Sequence, residues 1–426
     1  MRILVVGRGA REHALTWRLA RTPEVSLFCA PGNAGTEALA ESVPLRETET
    51  AGLVAFARAN RLDLVVIGPE APLAAGLADA FEVARVPVFG PRQAAAEIES
   101  SKAFAKALMA REGVPTARAE RFRDMSAALE YLDRLAAQGM TTAVVKADGL
   151  AAGKGVVVAK TKEEAASVAV EMLSGKMVGA AGTLVVLEEC LTGDELSFLV
   201  FSDGERVVPL VAAQDHKRVG DGDSGPNTGG MGAYSTATIV DDKMRDWLVH
   251  HIAEPVIAGM KAEGAEHKGV LYCGLMMTAR GPMVLEFNCR FGDPETQPIL
   301  MRLESDLVEA LEASVGGRVS EGDFRWSPDA SACVVIASAG YPGTFEAGKK
   351  IAGLESVGAM ERVKVFHAAT SRRDDVYFTS GGRVLGVTAR APDLATAVER
   401  AYAAVSMIGF EGMHYRKDIA ARALKK

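Results

Sequence analysis

The sequence predicts a multidomain protein that opens as α/β and continues as α+β, and three observations carry that expectation. Within residues 1–100, short apolar runs alternate with helix-length stretches, the rhythm of βαβ units around a parallel sheet. From Ser101 onward this gives way to strand pairs, single helices and glycine-rich connections. The length of 426 residues suits roughly two to four domains.

In the first part, Ile3–Val6, Val25–Cys29, Leu64–Ile67 and Val86–Phe89 read as strands, with helices over Glu12–Arg21 and Ala51–Ala59. Turns rich in glycine or proline follow three of the strands: Gly7-Arg8-Gly9, Pro31-Gly32-Asn33-Ala34-Gly35 and Gly68-Pro69-Glu70. Ligands of open α/β sheets bind beyond the strand C-termini, so these turns form a candidate rim. A helix over 101–112 stops near Gly113, with Pro115 just beyond. Strand Ala143–Lys146, the loop Asp148–Gly155, strand Val156–Ala159, a helix over 162–174 and strand Leu184–Glu188 form a small α+β unit. Leu196–Phe201 and Arg206–Val211 flank the hairpin turn Asp203-Gly204. A polar, glycine-rich loop is expected over 213–236, then a helix over 241–263. Strands 270–278 and 283–288 pair across Ala279-Arg280-Gly281. Near Ser327-Pro328 a last unit begins, with strands 331–339 and 383–389 and helix Leu394–Met407.

Composition excludes several function classes. Hydrophobic content of 48% and charged content of 24% are ordinary for a soluble globular chain. A net charge of −7 leaves no electrostatic footprint for nucleic acid. No apolar run approaches the roughly 18 residues of a membrane span, and the apolar opening after Met1 breaks at Gly7, too soon for a signal peptide. Cysteines 29, 190, 273, 289 and 333 are scattered and lack metal or redox spacing. Free thiols in a reducing cytoplasm are expected, and with no obvious dimerisation helix, a monomer.

The chemistry concentrates in Val284-Leu285-Glu286-Phe287-Asn288-Cys289-Arg290-Phe291-Gly292-Asp293-Pro294-Glu295. Strand alternation puts Glu286 and Asn288 on one face, about 6.5 Å apart, with Leu285 and Phe287 turned into a core. Two hard oxygen donors suit Mg²⁺, which completes its shell with substrate phosphates and water. Arg290 adds a rigid cationic fork for carboxylate or phosphate.

Four further segments are candidates. Gly7-Arg8-Gly9-Ala10-Arg11-Glu12 looks superficially like a dinucleotide fingerprint, but Glu12 holds the third glycine position and strand two ends in Cys29-Ala30-Pro31, without a ribose-binding acid. A tight turn or an anion-binding rim remain open for it. Lys146 leads into Asp148–Gly155, a β-loop-β flap whose amides can close over phosphates rather than a Walker loop. Glu188-Glu189-Cys190-Leu191 and Glu195 stand where acids could read an adenine amino group and ribose hydroxyls, or simply end a strand. Gln214-Asp215-His216-Lys217-Arg218 and Gly225–Gly232 share one long loop, where basic groups beside an acid can hold a phosphorylated amine. His13 and His216 are the histidines of interest.

Taken together, the blocks 68–73, 101–104, 146–155, 214–218, 225–234 and 286–297 strongly resemble the phosphoribosylamine–glycine ligase (glycinamide ribonucleotide synthetase) family of ATP-grasp enzymes of purine biosynthesis. The resemblance runs from Arg11–Ala14 to Arg416–Ile419. It implies an N-terminal pre-ATP-grasp domain over 1–101, an ATP-grasp domain over 102–327 with its lid at about 123–190, and a C-terminal α+β domain over 328–426. It further implies ATP phosphates on Lys106 and Lys146, under a flap including Gly149, Gly153, Lys154 and Gly155. The adenine hinge would be Glu188, Glu189, Cys190 and Leu191, and the ribose acid Glu195. Mg²⁺ or Mn²⁺ would sit on Glu286 and Asn288. Asp215, Lys217, Gly229, Gly230, Met231, Gly232, Arg290 and Asp293 would line the acceptor site, with Gly68, Pro69 and Glu70 approaching from the N-terminal domain.

Three positions depart from the family pattern: Ala10 in a turn that usually reads Gly-Asn-Gly-Gly, Cys190 for a hinge phenylalanine, and Met276-Met277-Thr278 where many ATP-grasp enzymes carry a metal-binding acid. The implied reaction joins glycine to 5-phosphoribosylamine with ATP through glycyl phosphate, with Arg290 and Asp215 as the catalytic candidates. The alternatives are a carboxylating or formate-using relative, an NAD-dependent oxidoreductase and a non-catalytic nucleotide sensor.

Overall fold

The computed structural model describes residues 1–151 and 155–425. Its first hundred residues form a five-stranded parallel sheet in the spatial order Glu41–Ser42, Ser26–Pro31, Arg2–Gly7, Leu64–Ile67, Val88–Phe89. The central strand is buried on both faces, as a parallel sheet requires. Ile3 and Val5 pack with Ala14, Leu15 and Leu19 of helix Ala10–Leu19. Leu4 and Val6 pack with Leu53 and Ala57 of helix Thr50–Ala59.

Helix Lys102–Glu112 begins at Ser101, whose hydroxyl accepts the Phe104 N–H, and ends at Gly113 with φ of 69°. A four-stranded sheet follows, ordered Ala119–Phe122, Val185–Glu189, Ala143–Ala147, Val156–Ala159. Helices Met125–Ala137 and Lys162–Leu173 cover it with a hydrophobic cluster of its own, including Phe122, Leu132, Val145 and Met172.

The central antiparallel sheet runs Val207–Pro209, Asp194–Asp203, Lys268–Thr278, Gly281–Asn288. The expected helix over 241–263 is a rod in three parts: Asp242–Leu248, a π-helical turn Val249–Ala253, and Glu254–Ala262. The π turn immediately precedes the segment containing Pro255, whose missing N–H leaves a carbonyl without its usual donor.

The expected loop over 213–236 is corrected by the structure, which organises it as strands. Gln214–Asp215 pairs antiparallel with Gly232–Ser235, and Arg218–Gly220 with Ser224–Asn227. Gly232–Ser235 then joins Ala330–Ser338, so the C-terminal sheet, ordered 214–215, 232–235, 330–338, 383–391, 363–367, takes in two strands from before residue 240. Helix Leu394–Met407 covers this sheet. No helix among the described residues is long and apolar enough to cross a membrane. All five cysteines are free, and four are buried.

Candidate active site

The strand Gly281–Asn288 carries an irregularity that sequence alternation does not reveal. Its register with Lys268–Thr278 runs Tyr272↔Asn288 and Gly274↔Glu286, but then Leu275↔Val284, leaving Leu285 as an extra residue. This β-bulge re-aims the side chains around it. Val284 and Phe287 are the buried pair, while Leu285, expected in the core, stays partly exposed. The bulge also turns the Leu285 carbonyl to accept a hydrogen bond from Lys146 Nζ at 2.8 Å. Opposite Glu286 stands Gly274, where a Cβ would lie 3.2 Å from the Glu286 Cγ.

Lysines gather on Glu286. Lys217 Nζ lies 3.3 Å from its Oε1 and 3.5 Å from Glu195 Oε2. Lys217, and after it Lys146 and Lys102, bring the Glu286 carboxyl down to about 2 against the opposing effect of burial. Burial pulls Lys217 the other way from its neighbours, but Glu286, Asp215 and Glu195 hold it well above the usual lysine range.

A second cluster lies deeper. Lys106 and Lys146 approach Glu188 Oε2 at 3.3 and 3.0 Å, and Glu188 is 2% exposed. Lys106 also donates to Thr116 Oγ1 and the Ala117 carbonyl. Burial outweighs Glu188 and lowers Lys106 to about 8. The Glu188 side chain therefore points at the lysines, while Glu189 faces Arg280 and Arg118 at 2.9 and 3.6 Å. Cys190 and Leu191 follow at the strand end, with Cys190 half-buried. Gly149 stands against Ala181 at the start of the flap and its carbonyl accepts from Lys102 Nζ, while the Gly155 carbonyl accepts the Ala147 N–H. Gly153 and Lys154 lie outside the described residues.

Arg290 follows the strand and is fully engaged. Its Nη2 lies 2.9 Å from Glu99 Oε1 and 3.4 Å from Asn288 Oδ1, its Nε 3.3 Å from Glu70 Oε2, and its Nη1 donates to the Phe291 carbonyl. Burial opposes the charge of Glu70, yet Arg290 and Arg11 lower it to about 2. Glu99 is deeper, and there burial wins: its pKa is raised even beside Arg290. The two acids hold the guanidinium pKa above its ordinary value despite burial.

Asp215 sits beside Lys217 at the end of its short strand. Burial raises its pKa well above the carboxylate range, Lys217 partly offsets this, and Glu295, Glu195 and Glu286 add to it. Nearby, Tyr272 OH, Ser197 Oγ and Glu295 Oε1 form a buried chain with 3.0 Å links. The loop at 229–232 is tied down from both sides. Gly229 N–H donates to Tyr341 OH, Met231 N–H to the His216 carbonyl, and Gly230 adopts φ of +107° against Pro294. A Cβ on Gly232 would lie 2.6 Å from the Cys333 carbonyl oxygen. Asp293 is bound by Arg383 at 2.8 Å and by Gln297 at 2.9 Å. That ion pair links the C-terminal sheet to the 229–232 loop, because Arg383 also donates to the Gly229 carbonyl.

In the N-terminal turn, the Glu12 carboxylate accepts the Gly9 N–H and the Arg11 Nε–H, both at 2.6 Å, and packs against Gly7 and Gly68. The cradle that a dinucleotide pyrophosphate would need is filled by the chain's own carboxylate, which removes the oxidoreductase reading. Ala10 is the first residue of its helix and needs no positive φ, so its Cβ causes no strain. Pro69 caps the short helix that starts at Glu70. His13 Nδ1 accepts the His367 N–H and His216 Nε2 the Ala420 N–H. Burial holds both rings below the usual range, His216 at about 4, so both are structural.

Among the described residues no three His, Cys, Asp or Glu side chains converge on a point fit for a metal ion. Glu286 and Asn288 offer hard oxygens, one of them an ionised carboxylate. This donor set fits a magnesium-like ion that draws its other ligands from a bound phosphate. Sequence reasoning missed Lys102, Glu99, Tyr272, Ser197, Glu295 and Arg383. Glu295 and Lys102 lie inside the recognised blocks 286–297 and 101–104, which was a usable signal. Glu99, Tyr272, Ser197 and Arg383 reach the site from other elements and carry none.

The chain can be compared with known proteins on this basis. Residues 1–99 match the phosphoribosylglycinamide synthetase N domain, 100–296 its ATP-grasp (A) domain and 331–422 its C domain. The phosphoribosylamine–glycine ligase of Vibrio cholerae is 48% identical over 433 residues, covering 100% of this chain and 99% of that protein. That of Allochromatium vinosum is 49% identical over 430 residues, with the same coverage. The crystal structure of the Thermotoga maritima phosphoribosylamine–glycine ligase superposes with a TM-score of 0.84 at 32% identity, covering 99% of this chain and 100% of that one. The biotin carboxylase domain of a 2-oxoglutarate carboxylase from Hydrogenobacter thermophilus, solved with ADP, magnesium and bicarbonate, shares the fold with a TM-score of 0.73 at 18% identity, covering 97% of this chain and 91% of that one.

Proposed function

The chain belongs to the phosphoribosylglycinamide synthetase family, and from that premise we propose that it joins glycine to 5-phosphoribosylamine, converting ATP to ADP and phosphate and yielding glycinamide ribonucleotide for purine biosynthesis. The observation that carries this reading is the succession Glu286, Asn288, Arg290 on one bulged strand and its continuation. It sets an ionised carboxylate ringed by lysines beside a guanidinium fork.

A glycine carboxylate oxygen attacks the γ-phosphorus of ATP, forming an O–P bond as the bond to ADP breaks. Lys146 and Lys106 hold the phosphates, so positioning and charge neutralisation supply most of the acceleration. Mg²⁺ or Mn²⁺ held by Glu286 and Asn288 would draw charge from the transferring phosphoryl group. Arg290 orients the glycine carboxylate bidentately. Its contact with Glu70 is the longer and more exposed of its two carboxylate contacts, and is the one an incoming carboxylate exchanges with. The amine of phosphoribosylamine then attacks the glycyl phosphate carbonyl and expels phosphate. Asp215, its proton affinity raised by burial, takes the proton from that amine. Gly229, Gly230, Met231 and Gly232 frame the acceptor, Lys217 and Asp293 fix its surroundings, and Gly68, Pro69 and Glu70 close it from the N-terminal side. Glu188, Glu189, Cys190 and Leu191 meet adenine through backbone, Glu195 the ribose, and the flap of Gly149, Gly153, Lys154 and Gly155 excludes water from the acyl phosphate.

We assign the work to a soluble monomer in the cytoplasm, acting on small molecules alone. The deciding assay is coupled ADP release with glycine or phosphoribosylamine omitted in turn. Release that needs both, with bicarbonate and formate inert, supports the reading; release without glycine sinks it.

A further inference from the structure

Beside the edge strand Val207–Pro209 of the central sheet lies a second and unassigned pocket. In strand Asp194–Asp203, Glu195 and Ser197 face the site already described, and Phe198 lines a cavity of about 320 Å³. That volume lies in the small-molecule range. Its walls include Leu210, Thr236 and the parallel rings of Phe324 and Trp326, which lie 6.0 Å apart at 5°. Arg302, at the end of helix Thr296–Arg302, also lines it and is 2% exposed.

The guanidinium of Arg302 is poorly compensated. Its Nη1 donates to Ser235 Oγ at 2.7 Å and its Nη2 to the Ser327 carbonyl at 3.3 Å, both neutral acceptors. Its Nε–H meets no acceptor among the described residues. No carboxylate of the described residues pairs with it, and the acid that influences it most, Asp329, is engaged by Arg362 and Arg390 at 3.1 and 3.3 Å. Burial lowers its pKa to about 10, which leaves it protonated at neutral pH. Buried charges are ordinarily paired, because desolvation of a lone ion is expensive. Here the counter-charge is missing and a cavity adjoins the cation. The mouth carries Asp242, Arg245 and Glu321, with Arg245 already paired to Asp242 and Asp246. Selectivity for charge therefore resides at the inner end rather than at the rim.

We propose that this cavity is a binding site for a small organic carboxylate with a planar apolar body, its charge against Arg302 and its ring against Phe324 and Trp326. The site is separate from the one that handles ATP and stands whether or not that reading holds. It shares one segment with it: the chain that lines the cavity as 208–212 continues directly into Gln214–Asp215.

Benzoate is the probe and the isosteric neutral benzamide the control, each titrated calorimetrically into the full chain and followed by thermal unfolding. Benzoate at about 100 times its dissociation constant is expected to raise the unfolding midpoint by about 2 °C or more. Benzamide should bind at least tenfold more weakly. Ala237→Trp, which fills the cavity from its exposed lip, should abolish benzoate binding while leaving ADP release unchanged. Arg302→Met should erase the preference for benzoate over benzamide. Should that variant not fold, the wild-type preference and Ala237→Trp decide the matter alone. Benzoate binding no tighter than benzamide, or undiminished in Ala237→Trp, would overturn the proposal.

Discussion

Arg290 and Glu99 make a double-mutant cycle that separates what holds the site together from what it does. Arg290 is 17% exposed and Glu99 7%, at 2.9 Å. Removing one member of a buried ion pair costs about 3–5 kcal/mol, mostly from the charge left behind. Arg290→Met leaves Glu99 in surroundings that already raise its pKa, so protonation caps the loss near the lower figure, about 3 kcal/mol. Glu99→Gln leaves Arg290 with Glu70, which is 36% exposed, and should cost about 1–2 kcal/mol. The double variant, with neither charge, should be more stable than the sum of the two losses by about 2 kcal/mol. Activity should not follow this pattern. Losing two charge-assisted hydrogen bonds of about 1.5–3 kcal/mol each lowers kcat/KM for glycine at least about 100-fold, in the single Arg290→Met and the double variant alike. An acid whose folded pKa is raised binds more protons folded than unfolded, so it loses stability as pH rises above its unfolded pKa. The deficit of Arg290→Met should accordingly be smaller at pH 5 than at pH 7. Urea unfolding with glycine kinetics on all four proteins is the assay. Strictly additive stabilities, or a double variant that regains glycine kinetics, would refute the argument.

Glu286→Gln should lower stability by only about 1 kcal/mol, since the side chain is 37% exposed and its ion pairs are screened, yet cut ADP formation at least about 100-fold. Near-normal ADP formation at ordinary Mg²⁺ would remove the metal assignment. Lys217→Met frees Glu286 from its nearest cation, so nucleotide-free Mn²⁺ binding, read by electron paramagnetic resonance, should tighten severalfold; unchanged or weaker binding would show that Lys217 does not compete for that oxygen. Lys106, lowered to about 8 by burial, loses its charge as pH rises through that value, and bound phosphate restores it. ATP affinity should therefore fall above pH 8, with proton uptake on binding visible as buffer-dependent calorimetric enthalpies; a flat profile from pH 7 to 9 counts against the role of Lys106.

Much of the fold is legible because its cues are local. The buried strands Ile3–Val6 and Leu64–Ile67, the Ser101 cap with its Gly113 stop, and helix Leu394–Met407 each carry their signal within a dozen residues. The segment 214–235 does not. Its strands are two to four residues long, polar, and made regular by Ala330–Ser338 about a hundred residues later. The candidate site divides in the same way. Glu286, Asn288 and Arg290 stand out in one run of sequence, whereas Glu99, Tyr272 and Arg383 are joined to it only by tertiary packing. The bulge at Leu285 is the sharpest case. Period-two reasoning turns Leu285 into the core, and a register defect of one residue replaces it with Val284 and gives its carbonyl to Lys146.

The site's charge balance explains how an acidic protein can hold a tetra-anion without standing open as an unpaired cationic pocket. Lys106 and Lys146 rest on Glu188, and Lys217 rests on Glu286 and Glu195. The same pairing recurs at Arg290 with Glu99 and Glu70, and at Arg11 with Glu12. Each cation is thus stored against an internal anion, which lowers its desolvation penalty before substrate arrives. On the proposed reaction, the incoming phosphates and glycine carboxylate exchange with those anions. The exchange at Glu286 releases the one carboxylate that a divalent ion requires, so nucleotide and metal sites are made in the same step. The absence of an acid at Met276-Met277-Thr278 follows this logic: with lysines already neutralised from within, a second permanent carboxylate at that place would leave the empty site with excess negative charge and repel the phosphates it is built to receive.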